Sequence, residues 1–451
     1  MAERGGLENR YTGNCIQGSN PCLSAKRGSY TTSFLAFFDG IDLPFFVHLT
    51  PKTRRPSARS IALFTTNSDI WFTLFDGNFV NLQLMILQNL SIVNFKNLTE
   101  CKLDFSPNIN CLIGNNGMGK TNVLDAIYYL SFAKSCGNLT DQMVLNHDAD
   151  YMMLRGNYLR HGDPIEITMA YQKGKRKTFK RDGKEYQRLS QHIGLIPLVM
   201  VSPMDWDLIR GAGEERRRLM DQIIAQGDSE YLAHLIRYNK ALENRNSLIR
   251  QGYRDPLLFE TVEHQLIASA AYIHSARTKW IEVFTPIFMR YYSAIAGSNE
   301  TVEIELNSHL NDCPMAQLLA QNRERDMIVG YTTHGVHRDD INLLLDSHPM
   351  RKTGSQGQCK TYTIALRLAQ YDFLKEMSGT MPILLLDDIF DKLDALRVES
   401  IVKMVNNSDF GQIFITDTNR THLDEIVKSI NSDFRIFTVD HGNCIDQTHQ
   451  S

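Results

Sequence analysis

The chain has 451 residues, of which 43% are apolar and 22% are charged, and its formal net charge is −3. This size predicts two or three domains, and the balanced composition excludes collagen-like, low-complexity and wholly disordered classes. No apolar run is long enough for a transmembrane helix and the N-terminus lacks a secretory signal, so a cytoplasmic protein is expected. The eight Cys form no CxxC pair, which favours reduced thiols over a zinc site or a disulfide framework.

The first 84 residues differ in pattern from the rest of the chain. Aromatic pairs such as Phe37-Phe38 lie among Pro, Gly, Ser and Thr, and no helical or strand period is sustained. A regular pattern begins at Met85, where Ile86 to Phe95 alternates as a half-buried strand does. Residues 1–84 are therefore expected to be an irregular leader, either an unusual appendage or translated upstream sequence that precedes a working start at Met85.

A glycine-rich loop follows a second short strand, Cys111 to Ile113, and precedes a helix expected from Thr121 to about Phe132. The pattern G-x-x-x-x-G-K-[ST] of a phosphate loop is matched in full by Gly114-Asn115-Asn116-Gly117-Met118-Gly119-Lys120-Thr121. Backbone N–H groups in such a loop, together with the helix N-terminus, bind phosphate. Lys120 is predicted to reach the β- and γ-phosphates of ATP, and the Thr121 hydroxyl is predicted to bind Mg²⁺.

A second motif supplies the acidic groups that this chemistry needs. The apolar run Pro382 to Leu386 is typical of a central parallel strand and ends in Asp387 and Asp388. Asp387 is predicted to hold Mg²⁺, directly or through water, and Asp388 to orient or deprotonate the attacking water. An alternative role for Asp388 is to cap the next turn.

A third motif marks a helix start upstream of the acidic strand. Ser355, Gly357 and Gln358 precede an apolar helical face between Thr361 and Glu376, so their polar groups are available to an anion. A second anion-binding helix start is explained most simply if it faces the γ-phosphate of ATP held by another copy of the chain. The alternative is an ordinary Ser N-cap.

A large segment separates the phosphate loop from the acidic strand, and its central part, residues 206–345, has a helical pattern. Apolar residues recur at helical spacing over residues 214–225, 231–250 and 257–292, and Pro286 is expected to interrupt the last helix. The sustained heptads of a long coiled-coil arm are not present in the sequence. A compact helical lobe is therefore expected.

Two basic segments are candidates for contact with DNA, and a third segment raises the question of catalysis. Lys173, Lys175 and Lys177 are predicted to share one face of a β-hairpin and to contact phosphates, with a solvated hairpin as the alternative. In Arg216 to Arg218 at most two side chains can face one ligand, and one is expected to pair with Glu214 or Glu215. For His337-Arg338-Asp339 a structural network is favoured over catalysis. The chain shows no helix-turn-helix pattern, so contact with the backbone of duplex, gapped or junction DNA is expected rather than sequence-specific reading.

The order of these motifs resembles the ABC-type ATPase heads of chromosome-maintenance and recombination proteins, and within them the RecF family. Further matches lie at residues 94–97, 202–205, 211–221 and 335–340, and the resemblance covers residues 85 to about 446. It implies an α/β P-loop head, with the Walker A motif at residues 114–121, the signature at Ser355 to Gln358, the Walker B aspartate at Asp387, the catalytic carboxylate at Asp388 and a D-loop residue at Asp394. Lobe I is expected in two parts, residues 85–205 and 346–451, on either side of a mainly helical lobe II at residues 206–345.

Two points of the family pattern are less clear in this chain. The strand within residues 411–418 ends without the His of transport-type ABC ATPases, which suits slow hydrolysis, and Thr416 is a candidate for the missing contact. The glutamine of the Q-loop has two candidate positions, Gln142 and the segment Ser202 to Asp205.

The resemblance implies a weak, DNA-stimulated ATPase in replication, homologous recombination, DNA repair and the SOS response. ATP is expected to join two heads into a clamp on duplex or gapped DNA, and hydrolysis is expected to release it. The implied partners are DNA, a second copy of the chain, and RecR and RecO, which help RecA to load; no membrane partner is expected. The alternatives are a nucleotide-binding subunit of an ABC transporter and a nucleotide-gated nuclease.

Overall fold

The computed structural model describes residues 84–137, 139–297, 300–389, 397, 410–418 and 433–448 in full, together with the backbone of strands between residues 35 and 83. The chain divides into two compact units, Met1–Phe79 and Val80–Ser451. The predicted start of regular structure at Met85 lies inside the strand Asn78–Phe95.

Twenty strands are described. In chain order they are β1 (Leu35–Ala36), β2 (Phe45–Val47), β3 (Ala62–Phe64), β4 (Trp71–Phe75), β5 (Asn78–Phe95), β6 (Leu98–Asp104), β7 (Ile109–Ile113), β8 (Tyr151–Arg160), β9 (Asp163–Gln172), β10 (Thr178–Arg181), β11 (Lys184–Glu185), β12 (Leu198–Val201), β13 (Val302–Asn307), β14 (Asp340–Leu345), β15 (His348–Pro349), β16 (Thr380–Met381), β17 (Ile383–Asp387), β18 (Ile413–Asp417), β19 (Phe434–Asp440) and β20 (Asn443–Asp446). In the first unit β1 to β4 pair antiparallel in succession, and the other residues of the predicted leader lie largely outside the described ones.

Nine α-helices lie in the described part of the second unit. They are α1 (Lys120–Phe132), α2 (Asp141–Val144), α3 (Trp206–Arg210), α4 (Gly213–Gly227), α5 (Ser229–Arg250), α6 (Pro256–Ala296), α7 (Met315–Val329), α8 (Met350–Thr353) and α9 (Gln356–Ser378). The predicted helices after the phosphate loop, in the inserted segment and after the signature correspond to α1, α4 to α6 and α9. Within the described ranges, every helix is too short or too polar to cross a bilayer.

The central sheet of the second unit is mostly parallel. Its strand order is β12-β17-β18-β7-β19-β20, and only the last pair is antiparallel. In this register Asp387 lies beside Thr416, and Asp417 lies beside Ile113. Because parallel strands place their carboxyl ends at one edge, the ends of β7, β17 and β18 lie together there.

Both faces of this sheet are covered. Leu384 and Leu386 of β17 belong to one core together with residues of α6 and α9. Ile383 and Leu385 point to the other face, into a core shared with α1 and the antiparallel strands. Burial on both faces explains why β17 is apolar at consecutive positions and not at alternate ones.

An antiparallel sheet covers the side of α1 that faces away from the central sheet. Strand β5 pairs with β6 and β8, and β8, β9, β10 and β11 follow in order, while β16 runs parallel to β5 near Gln83. Helix α1 contacts strands of both sheets and is buried on nearly all sides. The phosphate loop at its N-terminus is therefore attached to a helix held from two directions.

Helix α6 differs from the prediction that Pro286 would interrupt it. It runs unbroken for 41 residues with Pro286 inside it. Pro286 is exposed, while the neighbouring Phe284 and Phe288 are buried and pack against Phe373 and Tyr362 of α9. This packing outweighs the hydrogen bond that the proline cannot donate, so the prediction was wrong. The inserted segment also contains the antiparallel strands β13 and β14, and β14 pairs with β15 just after the segment. The helical pattern did not predict this sheet.

Candidate functional site

The phosphate loop leaves the carboxyl end of β7 and enters α1 at Lys120. Gly117 and Gly119 have φ values of 81° and 118°, a region that disfavours residues with a side chain. A Cβ added to Gly114 would lie 2.3 Å from the carbonyl oxygen of Val439 on β19, so no larger residue fits there without movement. These positions explain three of the glycines by local geometry.

Lys120 lies at the centre of the loop. Its Nζ donates to the carbonyl oxygens of Gly114 at 2.6 Å and Asn115 at 3.1 Å, and the residue is 6% exposed. Burial lowers the pKa of Lys120, and the charges of Asp388 and Asp387 oppose that shift. The loop thus holds a partly desolvated cation, which suits the binding of phosphate oxygens, and the two carboxylates nearby suit the binding of a metal cation.

Asp387 lies at the end of β17 and accepts two hydroxyl hydrogen bonds. Thr121 Oγ1 donates to it at 2.9 Å and Thr416 Oγ1 at 2.8 Å. Burial raises the pKa of Asp387, and the two hydroxyls oppose that shift. A buried carboxylate beside a threonine hydroxyl supplies the hard oxygen ligands that Mg²⁺ prefers, so the residues present fit this ion.

Asp388 follows at the turn out of the strand. It is half-buried, has a φ of 47°, and its backbone N–H donates to Thr416 Oγ1 at 3.0 Å. A cavity of about 140 Å³ has Gly119, Lys120, Asp387 and Asp388 on its lining. The structure therefore brings together the Walker A and acidic residues that the sequence places far apart.

Two turns from other strands support the phosphate loop. The carbonyl oxygen of Met118 accepts from Asn97 Nδ2 at 3.1 Å and from the N–H of Gly442 at 3.0 Å. Asn97 lies between β5 and β6, and Gly442 lies between β19 and β20. Asn97 occurs in one of the resemblance motifs, but no local pattern connects either residue with the loop.

Ser355 is the N-cap of α9. Its Oγ accepts from the N–H of Gln358 at 3.2 Å, and its own N–H donates to Gln358 Oε1 at 2.8 Å, which forms a capping box. Gln358 Nε2 also donates to Glu300 at 2.8 Å. The N-cap role is confirmed, and the contact of Ser355, Gly357 and Gln358 with ATP on a second copy stays a prediction.

The two Q-loop candidates lie in different surroundings. Ser202 and Pro203 line a cavity of about 440 Å³ together with Asp387 and Asp388. Gln142 is exposed on the short helix α2. The geometry favours the Ser202 to Asp205 segment. Asp394, the predicted D-loop residue, lies outside the described residues.

The predicted basic face on the hairpin is wrong. Strand β9 ends at Gln172, so Lys173 to Lys177 form a turn, in which Gly174 has a φ of 76°. Lys177 turns inward, and its Nζ donates to Asp141 at 3.0 Å and to the carbonyl oxygen of Ala133 at 2.8 Å. Lys173 and Lys175 remain exposed.

All three arginines on α4 have partners within the chain. Arg216 binds Asp340 through two hydrogen bonds of 2.7 and 2.8 Å, and Arg217 donates to the carbonyl oxygen of Asp339 at 2.7 Å. Arg218 pairs with both Glu214 and Glu215, which confirms the predicted pairing. The three arginines thus stabilise the fold, and their pairing within the chain disfavours a role in DNA contact.

The His337 to Asp339 segment belongs to a structural network, as expected. His337 Nδ1 lies 2.7 Å from the hydroxyl of Tyr238, and Asp339 pairs with Arg277 at 2.6 Å. Burial lowers the pKa of His337 to about 4, so the imidazole is neutral at physiological pH.

The strand order, the loop at the end of β7 and the paired aspartates at the end of β17 define a P-loop ATPase head with an inserted region. Residues 86–443 match the family model described as the RecF/RecN/SMC N-terminal domain. Over 358 residues the chain is 52% identical to the DNA replication and repair protein RecF of Parabacteroides distasonis, covering 79% of this chain and 98% of the relative. The chain belongs to the RecF family.

Other known proteins agree with this assignment. The RecF of Bacteroides thetaiotaomicron is 50% identical over 360 residues, which cover 79% of this chain and 98% of that protein. The solved structure of the recombination mediator protein RecF with ATP, in the RecFOR pathway, superposes with a TM-score of 0.73 at 28% identity and covers 80% of this chain and 97% of that one. An Smc head bound to the C-winged helix domain of ScpA has a TM-score of 0.50 at 13% identity, covers 81% of this chain and 98% of its own, and shows likeness of fold alone.

Proposed function

We propose that this chain is an ATP-dependent DNA-binding protein of replication and recombinational repair, in which ATP joins two heads into a clamp on duplex or gapped DNA. Weak hydrolysis then releases the clamp. The main support for the proposal is one cavity at the edge of the parallel sheet, which is lined by Lys120, Thr121, Asp387 and Asp388. The names of the relatives, which are DNA replication and repair proteins, support the biological setting.

Each residue of the site has a proposed role. The backbone of residues 114–121 holds the phosphates of ATP, and Lys120 neutralises the β- and γ-phosphate oxygens. Thr121 and Asp387 hold Mg²⁺, which supplies positive charge to the transferred phosphoryl group. Asp388 orients and deprotonates the attacking water, since it is half-buried and lines the same cavity.

The dimer is proposed from the geometry of α9. Ser355 is exposed at the N-terminus of this 23-residue helix, where backbone N–H groups and the helix dipole favour an anion. We place the γ-phosphate of ATP bound by a second copy at Ser355, Gly357 and Gln358. The division into lobe I (residues 85–205 and 346–451) and lobe II (residues 206–345) is supported by the pairing of β12 with β17 across the insertion.

RecR and RecO are the proposed protein partners, and assistance to RecA loading is the proposed outcome. The solved neighbour described as a mediator of the RecFOR pathway supports this part. DNA is proposed to be bound through its backbone, and the exposed Lys173 and Lys175 on the turn between β9 and β10 remain candidates.

Lys120→Ala tests the proposal directly. Without the Nζ charge, ATP affinity should fall by at least about tenfold, and ATP-dependent dimers and DNA binding should be lost with it. Calorimetry measures nucleotide binding, sedimentation velocity measures dimers, and fluorescence anisotropy measures DNA binding, each with ATP, ADP or no nucleotide.

Lys102→Ala is the matched control, because Lys102 is an exposed lysine that pairs only loosely with Glu100 at 3.3 Å. Its binding curves should match those of the unsubstituted protein. An unsubstituted protein whose DNA affinity is the same with ATP and without nucleotide would contradict the clamp. ATP-dependent dimers with no affinity for DNA would favour the transporter-type alternative.

A further inference from the structure

Thr416 lies at the end of β18 and contacts both aspartates of the site. The residue is fully buried, with 0% exposure. Its hydroxyl donates to Asp387 Oδ1 at 2.8 Å and accepts from the backbone N–H of Asp388 at 3.0 Å. One side-chain oxygen thus connects the carboxylate predicted to hold Mg²⁺ with the backbone of the residue predicted to act on water.

The backbone conformation of Asp388 is one that a neighbouring contact stabilises. Its φ of 47° lies in the left-handed region, which is sparsely populated for residues other than Gly and persists where neighbouring groups hold it. Strand β17 ends at Asp387, so the N–H of Asp388 is the first beyond the strand. The pairing of Asp387 with Thr416 in neighbouring parallel strands places the hydroxyl at that N–H.

We propose that Thr416 is a positioning residue for ATP hydrolysis, which orients Asp388 toward the attacking water through its backbone N–H. The inference rests on the proposed function, since it assigns a role within the same ATP site. A hydroxyl is required because the oxygen donates one hydrogen bond and accepts another. Serine can make both bonds, whereas valine has the shape of threonine and can make neither.

The effect of removing this hydroxyl should fall on turnover more than on binding. Asp387 would keep a second donor, because Thr121 Oγ1 also binds it at 2.9 Å. The described hydrogen bonds give the N–H of Asp388 only Thr416 as acceptor, so its carboxylate would lose the contact that directs it. Misplacement of a reacting group by about 1 Å lowers a rate by as much as about a hundredfold.

Thr416→Val is therefore expected to lower kcat between about tenfold and a hundredfold, while KM and the calorimetric Kd for ATP change by less than about twofold. The ATP-dependent dimer should persist longer by the same factor as kcat falls, which sizing after ATP is diluted away measures without following hydrolysis. Thr416→Ser should recover most of the turnover. Thr380→Val, at another fully buried threonine on β16, controls for the general loss of a buried hydroxyl and should leave kcat unchanged.

A double substitution separates positioning from simple destabilisation. If Thr416 acts through Asp388, Thr416→Val should add little further loss of kcat to Asp388→Asn, since residues that act as a unit are not additive. Additive losses, or a serine variant as slow as the valine variant, would overturn the proposal. If the valine variant does not fold, the serine variant and Thr416→Ala provide the same comparison. An unsubstituted protein that binds no ATP would instead contradict the proposed function.

Discussion

Asp387 is a residue whose burial destabilises the folded protein while it forms part of the proposed Mg²⁺ site. Asp387 is 4% exposed, and burial raises its pKa despite the hydroxyls of Thr416 and Thr121. A buried carboxylate is unfavourable until an opposite charge offsets its lost hydration. In the proposed site that charge is supplied by Mg²⁺ and, at a distance, by Lys120.

Asp387→Asn should raise the melting temperature of the nucleotide-free protein. Because the folded-state pKa of Asp387 is raised, its favourable contribution is present below the ordinary pKa of an aspartate and is lost as pH rises through the raised value. The variant lacks this titration, so its advantage should grow with rising pH across that window. Differential scanning fluorimetry at several pH values measures the difference.

The same variant should fail to gain stability from Mg²⁺ and ATP, whereas the unsubstituted protein gains it by linkage. Asp163→Asn, at an exposed aspartate that begins β9, is the control and should respond to Mg²⁺ and ATP as the unsubstituted protein does. A melting temperature for Asp387→Asn below that of the unsubstituted protein at every pH would show that burial of the charge is not the dominant effect.

For individual residues of the site, the sequence predicted a role where the motif is contiguous along the chain. Lys120 and Thr121 were predictable because a phosphate loop is contiguous, and Asp387 because its strand is. The hydrogen bond from Asn97 to Met118 was not predictable, because Asn97 lies in a turn outside the phosphate loop. Lys177 was wrongly assigned because the exact end of β9 decides where its side chain points, and strand ends are the least certain part of a sequence-based prediction.

Among the elements, α6 shows tertiary packing overriding a local signal. Pro286 has no N–H to donate to the carbonyl of Glu282, and the helix continues regardless. The aromatic contacts with α9 that hold it in place join positions far apart in the chain, so periodicity within α6 could not reveal them. The predicted interruption followed from the local rule alone.

Pro286→Ala should therefore stabilise the protein. The side chain is exposed, so its replacement leaves no cavity, and alanine restores the missing helical donor. The expected gain in the free energy of unfolding is about 1–3 kcal/mol, measured by urea denaturation.

Glu282→Ala, one turn earlier on the exposed side of α6, is the control, with an expected change within about 0.5 kcal/mol. A loss of stability for Pro286→Ala would indicate instead that the contacts with α9 depend on a bend at the proline.

At the scale of the whole molecule, Ser355 has one role in the fold of its own chain and a second, proposed role in the dimer. Its Oγ caps α9, so many substitutions would damage the helix and the dimer together. Aspartate is as good an N-cap as serine and is favoured by the helix dipole, but it brings a negative charge.

Ser355→Asp should keep the melting temperature and the ATP affinity of the monomer. It should abolish the ATP-dependent dimer, because in the proposed dimer the new charge would face the γ-phosphate of ATP on the other copy. Sedimentation velocity with and without ATP measures the dimer. Ser355→Ala is the converse control, since loss of the cap should cost about 1 kcal/mol of stability with less effect on dimers. Dimers of Ser355→Asp as stable as those of the unsubstituted protein would refute the contact between copies, and would leave the phosphate-loop assignment intact.

The order of motifs along the chain predicted the ATPase head with an inserted region, because each motif required a particular place on a parallel sheet. It did not predict the pairing of β13 and β14 inside the insertion, or of β14 with β15 just after it, because helical periodicity carries no signal for strand pairing. The surface proposed to bind DNA was not predictable either, because candidates such as Arg216 have partners inside the fold.

The order of strands in the central sheet has a consequence for how the chain folds during its synthesis on the ribosome. Strand β7, which carries the phosphate loop, lies between β18 and β19, and both of these come from the last part of the chain. While the intervening residues are synthesised, both edges of β7 lack their final neighbours. Contacts so distant in sequence form slowly and leave apolar strand edges exposed in the meantime. The nascent chain should therefore depend on chaperones until β19 has left the exit tunnel, and only then can the loop acquire the shape that holds a nucleotide.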